Sequence, residues 1–312
     1  MGDSSGGRRP IILTLDGKAG YCIAIDIGAR RLGLILTDLN NEIISRQSIP
    51  ISRQAFSHVY QQIYLAIDKL IRDIPPCPYG LIGISLAVRG IIDLDGVIRF
   101  IPKLQWHNID IKSLLEQRYH VPVYIDNDGN LAASMESRLH PQYEELTVLC
   151  ITDVISCGMI SNGQLIRGYL GFANAVGHHT INIQETKQCS CGKFGCWEQY
   201  CSDQYLIDEM NLHLETPLED IDEFIELVKK QHPSALAILD TYIRNLAIGL
   251  SNIIFFVNCE MIILNSHLIQ SLPYLMPEIM KDIVLPITHT QEILISSLGN
   301  EGPILGASLK AI

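Results

Sequence analysis

The chain has 312 residues, 47% of them hydrophobic, and 34 acidic against 23 basic side chains give a formal net charge of −11. Length and hydrophobic content suffice for two domains with substantial cores, and the acidity argues against nucleic-acid binding by the body itself, because phosphate contacts need clustered Lys and Arg. No apolar run reaches membrane-spanning length, no N-terminal signal pattern occurs, and nine mostly scattered cysteines fit a reducing compartment, so the chain reads as cytoplasmic.

Residues 1–20 open with MGDSSGGRRP, small and polar, and read as a flexible lead-in with one basic pair, Arg8 and Arg9. Apolar runs at 11–15, 21–27, 32–38 and 42–49 read as strands of an antiparallel meander, with turns at Gly28 and at Asn40-Asn41. A helix follows, placing Phe56, Val59, Ile63, Ile67, Leu70 and Ile74 on one face and stopping at Pro75-Pro76. Residues 81–88 form the next strand. Strands, helix, strand in this order is the first half of a ribonuclease-H-like lobe. The run 123–130 (VYIDNDGN) reads as a strand ending in polar groups, with a helix from about residue 131. Asp128 and Asn130 fit either a helix cap or a ligand site at the strand end. The pattern starts again after residue 140: strands at 146–152 and 157–161, a turn at Asn162-Gly163, then 164–167. Helices are expected at 199–212, 221–230 and 234–257, then a strand at 261–264 and a further helix. The expected architecture is α/β, with two similar lobes around a cleft. Residues 21–130 form the smaller lobe, residues 131–299 the larger, and a helix at about 300–312 returns to the smaller.

Cys189, Cys191 and Cys196 fall within eight residues, and Gly177-His178-His179 lies just upstream. Three thiolates and one imidazole make a tetrahedral site suited to Zn²⁺, and Gly192 and Gly195 let the loop curl around one ion. Either His178 or His179 completes the set. Asn127, Asp128, His178 and Glu198 are then candidates to converge on one ligand.

These residues resemble the ROK family of bacterial sugar kinases and sugar-responsive repressors over nearly the whole chain. The resemblance rests on Asp26-Ile27-Gly28, Asn127-Asp128-Gly129-Asn130, Gly177-His178 and the Cys-x-Cys-Gly-x-x-Gly-Cys-x-Glu run ending at Glu198. It implies an actin-like, ribonuclease-H-like fold of two lobes. It further implies sugar contacts from Asn127, His178 and Glu198, and zinc on His178 with the three cysteines. In the kinases the residue matching Asp128 is the general base. The family commonly forms dimers through its larger lobe, so a homodimer or higher homo-oligomer is expected.

Departures from the family pattern separate its two branches. Kinase loops reading Asp-x-Gly-Gly-Thr-Lys and Gly-Thr-Gly-x-Gly become Asp26-Ile27-Gly28-Ala29-Arg30-Arg31 and Thr152-Asp153-Val154-Ile155-Ser156, and a third Gly-Gly becomes Asn265-Ser266. Gly-rich loops close their backbone N–H groups on phosphates; branched side chains and a carboxylate do not. The run 6–10 resembles the junction where family repressors leave their winged helix-turn-helix. The expectation is therefore the effector-binding body of a ROK-type regulator without kinase activity, contacting DNA only through a domain absent from this chain. The competing expectation is an ATP-dependent hexose kinase. A family Pro-Gly becomes Arg89-Gly90 and a family glutamate becomes Ala175. Arg89 is an ion-pair residue or a bidentate partner for a sugar phosphate or acidic sugar. Trp106 and Tyr169 are either stacking platforms for a sugar or packing residues.

Overall fold

The computed structural model describes residues 14–283 and 291–312. Arg8, Arg9 and most of the run at 11–15 lie outside them, and Thr14 and Leu15 are not in a strand. The first lobe begins with β1 (Tyr21–Ile27), β2 (Arg31–Asp38) and β3 (Ile43–Pro50). Helix α1 (Phe56–Arg72) buries Val59, Ile63, Ala66, Ile67 and Leu70, the stripe its three- and four-residue spacing requires. After β4 (Leu81–Val88) come three short strands that the sequence pattern does not announce, β5 (Ile91–Ile92), β6 (Ile98–Ile101) and β7 (Trp106–Ile109). Then follow α2 (Ile111–Tyr119), β8 (Val123–Asn127) and α3 (Asp128–Leu139).

The second lobe holds β9 (Leu146–Ile151), β10 (Ile155–Ser161) and β11 (Gln164–Leu165), then, beyond a long cysteine-bearing loop, α4 (Glu198–Cys201) and α5 (Asp203–Asn211). The single helix expected at 199–212 is broken at Ser202, whose extended backbone lets its side chain cap α5 by accepting from the Tyr205 N–H. Helices α6 (Ile221–Lys229) and α7 (Pro233–Val257), strand β12 (Met261–Ser266), α8 (His267–Ser271), α9 (Leu275–Asp282), β13 (Glu292–Ile295) and α10 (Gly302–Ala311) complete the chain.

Both five-stranded sheets share one plan. The first runs β3-β2-β1-β4-β8 and the second β11-β10-β9-β12-β13. In each, the first three strands in sequence pair antiparallel and the later two add in parallel. Each sheet carries its own core: Ile23, Ile25, Leu34 and Leu86 in the first, Leu149, Trp197, Tyr242 and Leu264 in the second. Parallel strands β1, β4 and β8 end at the same edge, so Ile27, Val88 and Asn127 stand side by side there. That edge faces the cleft, as strand ends do in open α/β sheets.

Helix α3 joins the lobes. It packs on β9 and β10 of the second sheet and on α10, which in turn lies against β1 and β4 of the first. Contact is so close that a Cβ at Gly158 would overlap the Gly129 carbonyl, which makes both glycines a packing requirement at the start of α3.

Candidate functional site

Asn127 closes β8 and opens α3. Its side-chain oxygen accepts from the Gly129 N–H at 2.9 Å and the Asn130 N–H at 3.4 Å, so Asn127, not Asp128 or Asn130, is the cap. Its amide donates to the Gly90 carbonyl at 3.1 Å. Asn130 is turned away and donates to Asp126. Of the expected site residues, Arg89, Asn127, His178 and Glu198 line one cleft, joined by Ser156 and Phe172. Asp128 is not on its wall. It is fully buried directly behind Ser156, whose hydroxyl donates to Asp128 Oδ2 at 2.7 Å. Trp106 is 4% exposed and packs edge-on against Phe56 while its indole N–H donates to the Gln54 carbonyl; Tyr169 is 91% exposed. Neither lines this cleft, so neither serves as a platform in it.

Arg89 stands between this cleft and a second one, lined by the 28–31 loop together with Asp26, Asp153 and Asp203. Its Nη2 donates to Asp26 Oδ2 at 3.0 Å, and its Nε lies 3.6 Å from Asp153 Oδ1 and 3.9 Å from Asp128 Oδ2. Burial opposes the guanidinium charge, but Asp26, Asp153 and Asp128 outweigh it and hold Arg89 protonated. One cation faces three carboxylates, with its one hydrogen bond among the described residues going to Asp26. The ion-pair alternative for Arg89 is thus the one its surroundings favour. The same side chain fills the space over the first loop: a Cβ at Gly28 would sit 2.6 Å from Arg89 Nη1. Arg30 crosses to the other lobe, donating to the Glu219 carbonyl at 2.7 Å and to Gln204 Oε1 at 2.9 Å.

Burial raises Asp128 to about 6, against the opposing pull of Arg89 and the Ser156 hydroxyl. Asp203 is raised to about 8, first by burial and then by Asp153, and its Oδ1 has no hydrogen-bond partner among the described residues. A carboxyl whose folded pKa exceeds its unfolded value stabilises the fold below the unfolded pKa, and that contribution is lost as pH rises through the folded one. Stability from Asp203 is therefore expected to decline between about pH 4 and pH 8. Asp203→Asn should raise the melting temperature at pH 8 and change it little at pH 4. Equal effects at both pH values in thermal unfolding would contradict this assignment.

Cysteines 189, 191 and 196 gather with His178 so that one donor atom from each lies within 4.8 Å of the others. His178, not His179, is the imidazole in reach. A tight turn makes the cluster: the Cys189 N–H donates to the Lys193 carbonyl at 2.7 Å, and Gly192 and Gly195 both take positive φ. Any side chain at Gly195 would also strike the Asn182 carbonyl, so the position needs glycine twice over. Donor spacing fits zinc. Tetrahedral Zn–S bonds of about 2.3 Å put two sulfurs about 3.8 Å apart; Cys191 Sγ and Cys196 Sγ are 3.7 Å apart, and Cys189 Sγ and His178 Nδ1 are 3.8 Å apart. Glu198 Oε1 lies 3.2 Å from Cys189 Sγ and 3.7 Å from His178 Nδ1, so the cluster and the cleft share His178, and Glu198 of the cleft touches the cluster.

Sequence reasoning missed Ser156 as a site residue and Asp153 as the partner of Arg89. Ser156 lies within an apolar strand run, and only the fold places it over Asp128. The pairing of Asp26 with Arg89 spans 63 residues and leaves no local signal.

Two sheets of one plan, a cleft at their strand ends and a bridging helix define a two-lobed, actin-like α/β protein. A ROK family glucokinase from Streptomyces griseus, solved with glucose and AMPPNP, superposes with a TM-score of 0.83 at 20% identity, over 94% of this chain and 99% of that one. A ROK family transcriptional regulator, a homolog of the E. coli MLC protein, superposes with a TM-score of 0.77 at 18% identity, over 95% and 79%. In sequence, the chain is 35% identical over 314 residues to the xylose repressor of Bacillus subtilis (strain 168), covering 99% of this chain and 81% of the repressor. Residues 22–312 match the ROK family, and the chain belongs to it.

Proposed function

We propose that this chain is the effector-binding body of a sugar-responsive ROK transcriptional regulator, that it takes a neutral sugar, and that it does not transfer phosphate. The observation that carries the reading is Arg89, buried among Asp26, Asp128 and Asp153 and packed over Gly28. In a kinase of this family that junction must admit a phosphoryl group between the nucleotide loops and the base. Here it holds a protein cation already matched by carboxylates. Similarity to a protein named xylose repressor supports a sugar effector, with a pentose as the first candidate. Asn127, His178 and Glu198 would hold its hydroxyls, and zinc on His178, Cys189, Cys191 and Cys196 would fix the loop that presents two of them.

DNA contacts are assigned to a segment of the regulator outside residues 22–312, in keeping with the net charge of −11. No helix among the described residues is long and apolar enough to cross a membrane. A homodimer would use the larger lobe, where Phe255 and Phe256 at the end of α7 are 57% and 85% exposed. A thermal-shift panel of D-xylose, D-glucose, their phosphates and ATP with Mg²⁺ tests the reading, because a ligand of the folded state raises its melting temperature. Stabilisation by a neutral sugar and none by ATP is the expected result. Stabilisation by ATP with Mg²⁺ would return the chain to the kinases.

A further inference from the structure

We propose that Ser156, with Asp128 acting through it, is a specificity-determining acceptor for one ligand hydroxyl in the cleft. This rests on the sugar-binding reading above. Ser156 is 7% exposed and belongs to the wall of the cleft, whereas Asp128 is fully buried behind it. The Ser156 hydroxyl has a single proton, and it is donated to Asp128 Oδ2 at 2.7 Å. What remains facing the cleft is the lone-pair side of Oγ. A ligand must therefore bring a donor to this point; an ether oxygen, a fluorine or a phosphate oxygen finds no proton there. Polarity at Ser156 is set by the charge on Asp128. Asp128 is faced by Arg89 from the end of β4, by Asp26 from β1 and by Cys150 from β9. Arg89 also reaches Asp153 in the β9–β10 turn, three residues before Ser156. In this arrangement the carboxylate acts on the ligand through the Ser156 hydroxyl.

Isothermal titration of D-xylose and D-glucose into the wild type and Ser156→Ala, at about pH 7.5 and about pH 5, tests the couple. Removing one oxygen leaves the shape of the strand but takes a hydrogen bond from buried Asp128, so a lower melting temperature is expected, and a single cooperative unfolding transition without sugar confirms that the variant folds. At the higher pH the variant is expected to bind on the order of 10- to 100-fold more weakly, the penalty of leaving a buried hydroxyl without its partner. At the lower pH Asp128, raised to about 6, takes up a proton and no longer orients Ser156, so the ratio between wild type and variant should shrink severalfold. Equal affinity of the two proteins, or a ratio that does not change with pH, overturns the proposal while leaving sugar binding intact. Absence of binding to either sugar by the wild type removes both the couple and the reading beneath it.

Discussion

Replacing Cys191 with Ser is expected to release one zinc ion per chain and to abolish sugar binding. Cys191 is the ligand to test because it is half-buried; Cys196 is fully buried and Cys189 nearly so, and changes there would disturb packing as well. Loss of a ligand should weaken zinc by more than the roughly 10- to 100-fold that loss of an outer partner costs. Ligand binding suffers because His178 belongs to both the metal cluster and the cleft, and Glu198 leans on Cys189 at 3.2 Å. The loop otherwise rests on short bridges, Thr180 with Cys196 and Gln188 with Phe194, and on two left-handed glycines. Elemental analysis of purified protein reads the metal, and titration with D-xylose reads the cleft. Purified protein with intact thiols and no zinc would remove the assignment.

The periodic parts of this fold were legible in the sequence, and the parts set by long-range charge were not. Buried strands such as Tyr21–Ile27 and Leu81–Val88 read as continuous apolar runs because both faces of the sheet are covered at these central strands. Helix α1 showed its buried stripe residue by residue. The small β5-β6-β7 sheet was invisible because strands of two to four residues carry no period. Asn127, His178 and Glu198 were identified by motif and meet at one cleft. Their chemistry was only partly legible: Asp128 reads as a group in the cleft, and the structure withdraws it behind Ser156. Arg89 illustrates the limit. An arginine after a strand says nothing of its charge balance until the fold brings Asp26, Asp128 and Asp153 around it.

Incubation with D-glucose or D-xylose, ATP and Mg²⁺ is expected to yield no sugar phosphate above background, at least about a thousandfold below the ~1–100 s⁻¹ typical of kinases. Phosphoryl transfer depends on holding the γ-phosphate in line with the attacking hydroxyl and neutralising its charge, and those two effects supply most of the rate. We expect the groups in place to meet neither condition. Asp128 is fully buried and hydrogen-bonded to Ser156, which stands on the wall of the cleft. Arg89 occupies the gap over Gly28, and Asp153 and Asp203 line the second cleft with carboxyl groups that would oppose bound phosphates. Of the two exposed cations of the first loop, Arg30 is already committed to Glu219 and Gln204 across the lobes and Arg31 donates to Ser48. Substituting Arg89 alone should not restore activity, because the loops it leaves behind still lack the glycines that would wrap a phosphate. Sugar phosphate formed by the wild type and lost in Asp128→Asn would show that the buried carboxylate reaches the sugar after all, and the chain would then be a kinase.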